Sequence, residues 1–168
     1  MKLLIKNGLV VDPKNNLEKI CDVLVEDGKI KSVGENIDAA GEETEVIDAK
    51  GLVVAPGLVD LHVHFRDPGY EYKEDIETGS RAASQGGVTS VVCMPNTNPV
   101  IDNAALGKYV IDKGKEVGLT NVYTTACITK GLISQELTEI GELKDAGAVG
   151  ISDDGRPVLT PSLMRRAL

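Results

Sequence analysis

The sequence predicts an α/β chain in two parts: a small β-rich module, then strand–loop–helix units on a parallel sheet. Three observations predict it. Short apolar runs punctuated by Asn7-Gly8 and Asp27-Gly28 fill the first fifty residues. From about Gly51 the rhythm lengthens to strand, loop and helix in alternation, which requires parallel pairing with right-handed crossovers. The helical stretches all stop at glycine, at Gly86-Gly87, Gly118 and Gly147.

In chain order, Leu3-Leu4-Ile5 and Leu9-Val10-Val11 read as strands joined at Asn7-Gly8, and Asp12-Pro13 breaks the second. Val23-Leu24-Val25 and Ile30–Val33 flank Asp27-Gly28, a dipeptide suited to the two positive φ angles of a type I′ hairpin. The polar stretch Gly34–Glu45 has no helical or strand pattern. Val46-Ile47 and Leu52-Val53-Val54 follow, with a turn at Asp48–Gly51. Residues 1–51 form the β-rich module on this reading, and 52–168 the βα units.

The strands of the second part are Gly57–Phe65, Val88–Met94, Asn121–Ile128 and Ala148–Ser152. The helices between them are Lys73–Ser84, Asn103–Val117 and Gln135–Ala146. Ser134 suits the N-cap of the third, where Leu137, Ile140 and Leu143 recur at helical spacing. Thr160-Pro161 opens a fourth helix. The acidic residues near its start, from Glu71 to Glu77, suit the dipole of the first helix. If the units belong to a barrel, a full one needs roughly 250 residues, and 52–168 supply about four of eight. The N-terminal portion of a longer protein is therefore expected.

Composition excludes several functions. Eighteen Lys and Arg against 26 Asp and Glu leave a net charge of −8, the wrong sign for sequence-independent nucleic-acid binding. The longest apolar stretch, Gly51–Leu58, falls far short of the ~20 residues a bilayer requires. Cys21, Cys93 and Cys127 are odd in number and form no CxxC pair, so free buried thiols in a reducing cytoplasm are expected. Phosphate-cradling glycine loops and a GxSxG elbow are absent.

The strongest chemical signal is Asp60-Leu61-His62-Val63-His64-Phe65-Arg66-Asp67-Pro68-Gly69. Strand alternation collects Asp60, His62, His64 and Arg66 on one face and Val59, Leu61, Val63 and Phe65 on the other. His62 and His64 are the chain's two histidines. Side by side at the end of a strand, they can reach one metal ion. A polar strand face turned to water would also produce alternation, but would not concentrate both histidines there. Pro95 forces the chain out of the sheet, which sets Asn96 at the strand's mouth; on spacing alone a plain Pro/Asn turn is the preferred reading of that segment. Ser152-Asp153-Asp154-Gly155 closes the fourth strand, where a carboxylate could join the histidines. Lys130-Gly131 reads as a solvated turn.

These residues carry a resemblance. Pro56–Gly69, Tyr72–Ser80, Met94–Pro99 and Ser152–Val158 together resemble the dihydroorotase family of the amidohydrolase superfamily, in order and spacing along the whole chain. The resemblance implies the first half of a (β/α)8 TIM-type barrel, preceded by part of a small β-sandwich built from both chain ends. It implies zinc, two ions per complete site, with His62, His64 and Asp154 as ligands and Asp154 bridging. No lysine precedes Asp153 in Val149–Ser152, so the bacterial type with an aspartate bridge fits better than the carboxylated-lysine type. His64, Arg66 and Asn96 would hold the substrate, and Asp153 would face away or satisfy loop amides.

The implied reaction is reversible hydrolysis of dihydroorotate to N-carbamoyl-L-aspartate in cytoplasmic pyrimidine biosynthesis. Implied partners are a small-molecule substrate, a second copy of the chain and aspartate transcarbamoylase. The family's two further histidine ligands and its catalytic aspartate lie on later strands, so these 168 residues alone are expected to be inactive. A non-catalytic dihydroorotase-like scaffold and a hydantoinase or allantoinase relative are the alternatives. The pairing of His64-Phe65-Arg66 with Pro95-Asn96-Thr97 favours dihydroorotase.

Overall fold

The computed structural model describes residues 1–38 and 44–168, which divide into two compact units, Met1–Pro56 and Gly57–Leu168. In the first, β1 (Lys2–Asp12), β2 (Leu17–Glu26), β3 (Lys29–Gly34), β4 (Thr44–Asp48) and β5 (Val53–Val54) form one sheet. The antiparallel order β3-β2-β1 is extended by β4 and β5, both parallel to β1. Val10, Cys21 and Val23 are its buried core. Asp27 and Gly28 adopt φ of 50° and 74°, the left-handed pair that a type I′ turn demands. Of the polar stretch Gly34–Glu45, residues 39–43 lie outside the described residues.

Asn7-Gly8 is not a hairpin turn, contrary to the sequence expectation. β1 runs straight through it, and the register with β2 slips between Ile5 and Gly8. Asn7 takes φ 63° and its side-chain amide donates to Asp48 Oδ1 at 3.0 Å, at the break between β4 and β5. A Cβ on Gly8 would stand 2.5 Å from Val54 Cγ2. The dipeptide serves a bulge and a close backbone approach, uses that share the residue types of a hairpin turn.

The second unit is a four-stranded parallel sheet, order β6 (Leu58–Val63), β7 (Val88–Cys93), β8 (Asn121–Ala126), β9 (Gly150–Ile151). Helices α1 (Ile76–Gln85), α2 (Ala104–Val117) and α3 (Ile140–Asp145) fill the crossovers, and α4 (Pro161–Ala167) follows β9. Phe65, Ile76, Val91, Ile101, Val110, Val122 and Leu143 interlock between sheet and helices. Asp75 caps α1 by accepting from the Thr78 amide at 2.8 Å, so that helix begins three residues after Lys73. Asn103 caps α2 through the Leu106 amide.

The expected start of the third helix needs correction. Residues 135–139 are not helical and Ser134 caps nothing: it has φ 57° and its hydroxyl accepts from the Leu159 amide. Leu137 instead bridges to Thr129, and the Thr138 amide donates to Ile128 O at 3.0 Å. The segment prolongs the pairing beyond β8, and that hydrogen bonding overrides the helical spacing. On β6, Val63 packs against the core between sheet and helices and Phe65 just beyond lies within it, while Val59 and Leu61 are exposed.

Candidate metal centre

The site stands where β6, β7 and β9 finish. β6 ends at Val63, whose carbonyl accepts from the Met94 amide. The chain then leaves the sheet, with Phe65 anchored in the core. That anchor, with Val63 packed against the same cluster, leaves His62 and His64 together on the opposite side. Their ring centroids are 5.2 Å apart and edge-on. Asp154, just beyond β9, brings Oδ1 to 3.3 Å from His62 Nε2 and Oδ2 to 3.6 Å from His64 Nε2. The three ligand atoms lie within 4.8 Å of one another. Two donors on one tetrahedral zinc with ~2.1 Å bonds are about 3.4 Å apart, so the spacing fits a shared ion.

Asn96 ties the cluster together. Its Oδ1 lies 3.0 Å from His64 Nδ1, and its Nδ2 donates to Asp154 Oδ2 at 2.7 Å. An amide oxygen can only accept, so Nδ1 of His64 is the donor in this contact and Nε2, on the Asp154 side, is the atom placed to meet an ion. Such an outer contact fixes both tautomer and ring orientation of a metal-binding histidine. One amide N–H and one carbonyl lone pair of Asn96 remain for a ligand. Nothing in the Pro95-Asn96-Thr97 string signals the bridge, because its partners lie 32 and 58 residues away.

Asp153 and Asp154 part company. Asp153 is buried and accepts from the Ile128 and Thr129 amides at 2.7 and 3.1 Å, and from the Thr129 hydroxyl at 2.5 Å. It fastens the loop after β9 to the end of β8, while Asp154 reaches the histidines. Asp60 accepts from the His62 amide, away from the cluster. Arg66 is half-buried with φ 62°, so it sits in the loop and not on the strand. Among the described residues its guanidinium has no ion-pair partner. Burial pushes the Cys93 thiol up to about 12 and raises Cys127 as well. These sulfurs are neutral thiols, not thiolate ligands.

Sequence reasoning missed Asp67. Its side chain is fully buried and receives Tyr109 Oη at 2.8 Å and Lys113 Nζ at 2.5 Å. The carboxylate holds the Lys113 ammonium well above the usual lysine range. Both partners sit on α2 at (i, i+4) spacing, which puts them on one helix face. The only available signal was a Tyr-x-x-x-Lys pair in a helix with ordinary surface composition.

Comparison with known proteins accords with this geometry. The family model described as dihydro-orotase-like matches residues 51–168. The dihydroorotase of Ruminiclostridium cellulolyticum is 62% identical over 168 residues, covering all of this chain and 39% of that protein. The Aquifex aeolicus dihydroorotase is 55% identical, again over the whole chain and 39% of its own length. This chain thus spans about two fifths of these curated relatives. Among solved structures, the L-hydantoinase of Arthrobacter aurescens superposes with a TM-score of 0.74 at 27% identity, over 96% of this chain and 36% of the other. The parallel order β6-β7-β8-β9 is the first half of a (β/α)8 barrel, as the sequence predicts. Matched over more than half its length by that family model and along its whole length by the curated dihydroorotases, the chain belongs to the dihydro-orotase-like family.

Proposed function

We propose that a complete enzyme carrying this segment is a zinc-dependent dihydroorotase. It hydrolyses the cyclic amide of dihydroorotate reversibly to N-carbamoyl-L-aspartate, a cytoplasmic step of pyrimidine biosynthesis. One observation carries the reading: His62, His64 and Asp154 converge at the finishing ends of the strands, cross-braced by Asn96. The 62% identity to a dihydroorotase supports the choice of substrate.

His62 and His64 would bind through Nε2, and Asp154 would bridge two ions when the site is complete. Imidazole with carboxylate suits zinc. A zinc ion there supplies Lewis acidity towards the ring carbonyl and a water of lowered pKa. The remaining steps belong to side chains. Arg66 would grip the substrate carboxylate through two parallel charge-assisted bonds. His64 and the unused amide N–H of Asn96 would flank the same region. Homo-oligomerisation and association with aspartate transcarbamoylase are proposed on the sequence resemblance alone.

The test is metal analysis of the purified enzyme beside assays with dihydroorotate, hydantoin and allantoin. Zinc with turnover of dihydroorotate is the expected result. Turnover of hydantoin or allantoin without dihydroorotate would move the reading to those branches. A metal-free protein inert on all three would make it a scaffold.

A further inference from the structure

We infer that Asp67, Tyr109 and Lys113 are positioning residues, a clamp from α2 that sets where Arg66 and the Asn96 loop stand against the metal ligands. Arg66 adopts φ 62°. For a residue with a long side chain this conformation is strained and persists only where neighbours impose it. The next residue, Asp67, is the neighbour that does so. Its carboxylate is wholly buried between the Tyr109 hydroxyl and the Lys113 ammonium, and these two touch each other at 3.4 Å. A carboxylate buried without partners is costly, so the loop is held wherever α2 presents its two donors.

The hold extends to the next loop. Pro68 O accepts from the Asn98 amide at 3.0 Å, and a Cβ on Gly69 would lie 1.8 Å from Asn98 O. The loop carrying Arg66 and the loop carrying Asn96 therefore move as one piece, fastened to α2 at Asp67. Glu71 accepts from the Gly69 amide at 2.8 Å and closes the far side of the loop. None of the three clamp residues belongs to the metal cluster. Their effect falls on substrate placement, where a displacement near 1 Å can cost up to a hundred-fold.

The kinetic arm of the test rests on the dihydroorotase reading; a second arm does not. In a complete enzyme, Lys113→Met and Tyr109→Phe are expected to raise KM for dihydroorotate, Lys113→Met by roughly ten- to a hundred-fold. kcat should change far less and zinc content not at all. Lys113→Arg, which keeps the charge, should recover most of the loss. Independently, amide hydrogen exchange at Gly69, Tyr70 and Asn98, whose N–H groups are bonded within the two loops, should quicken in Lys113→Met, while α1 and α2 stay protected. Exchange that quickens throughout residues 57–168, or stays unchanged at these amides, overturns the inference. If the unmutated enzyme leaves dihydroorotate untouched, the functional reading fails and the exchange pattern still decides the clamp.

Discussion

Where the strands of the parallel sheet begin, the chain reverses through glycines, and the side chains that help, Thr120 and Asn121, are uncharged and donate to carbonyls at the start of β7. Gly87 donates to Ser84 O, Gly118 to Gly114 O and Gly147 to Lys144 O. Where the strands finish, the loops are fastened by side chains that carry charge or both donor and acceptor. Asp67 reaches α2, Asp102 takes the Gly131 amide, Asn96 joins His64 to Asp154, and Asp153 gathers three donors from the end of β8. A glycine turn only has to reverse direction, and any chain with the right φ does so. A ligand-bearing loop must hold atoms to a fraction of an ångström, which takes directional bonds in a sheltered setting. The difference between the two ends is one of tolerance, and it can be measured.

The largest effect is expected at Asp154. Asp154→Asn replaces a carboxylate between His62 and His64 by a neutral amide, a poor ligand for dications. In a complete enzyme at least one zinc should be lost and turnover abolished; elemental analysis beside the assay checks both. Full zinc content would show that the finishing end does not depend on this carboxylate. Arg66→Lys comes next. It keeps charge but loses the planar fork, and a charge-assisted bond is worth roughly 1.5–3 kcal/mol. kcat/KM should fall about ten- to a hundred-fold with zinc retained, and kinetic silence would reduce Arg66 to a loop residue.

Asp153→Asn should leave zinc nearly intact yet destabilise the protein by about 2–3 kcal/mol, because an amide turns one N–H towards buried donors. Denaturant titration reads this directly, and loss of zinc instead would exchange the roles of the two aspartates. The smallest effect belongs to the other end. Gly118 caps α2 at φ 65° with no atom closer than 3.7 Å to an added Cβ. Gly118→Ala should cost about 1 kcal/mol from backbone strain and nothing in KM. A change in KM there would dissolve the contrast between the two ends.

The starting ends were the more readable in the sequence, since glycine stops a helix by a local rule. Helix α2, read as Asn103–Val117, runs over Ala104–Val117 with Asn103 as its cap. The grouping of His62 with His64 was also legible, because strand alternation acts over two residues. Distant bonds were not. Asn96 bridges elements 32 and 58 residues away, and Asp67 meets a lysine 46 residues on. The start of α3 was misread for the same reason, since Leu137 and Thr138 are committed to the end of β8. At Asn7-Gly8 the residue types were read correctly as punctuation, but a bulge and a turn use the same letters.

The doubly engaged amide of Asn96 has a consequence for which substitutions the protein can accept. Aspartate in its place would set a second carboxylate against Asp154, where the present nitrogen stands 2.7 Å away, and like charges at that range repel strongly. Leucine has nearly the right shape but would leave His64 Nδ1 and Asp154 Oδ2 without their partner. Glutamine brings the right groups on a stem one methylene too long for the same two anchors. Serine offers a donor and an acceptor on one atom, too close together to span the gap between imidazole and carboxylate. Position 96 is therefore a place of minimal evolutionary freedom. Its neighbours Pro95 and Thr97 are held by burial, whereas this one side chain is held by both of its ends.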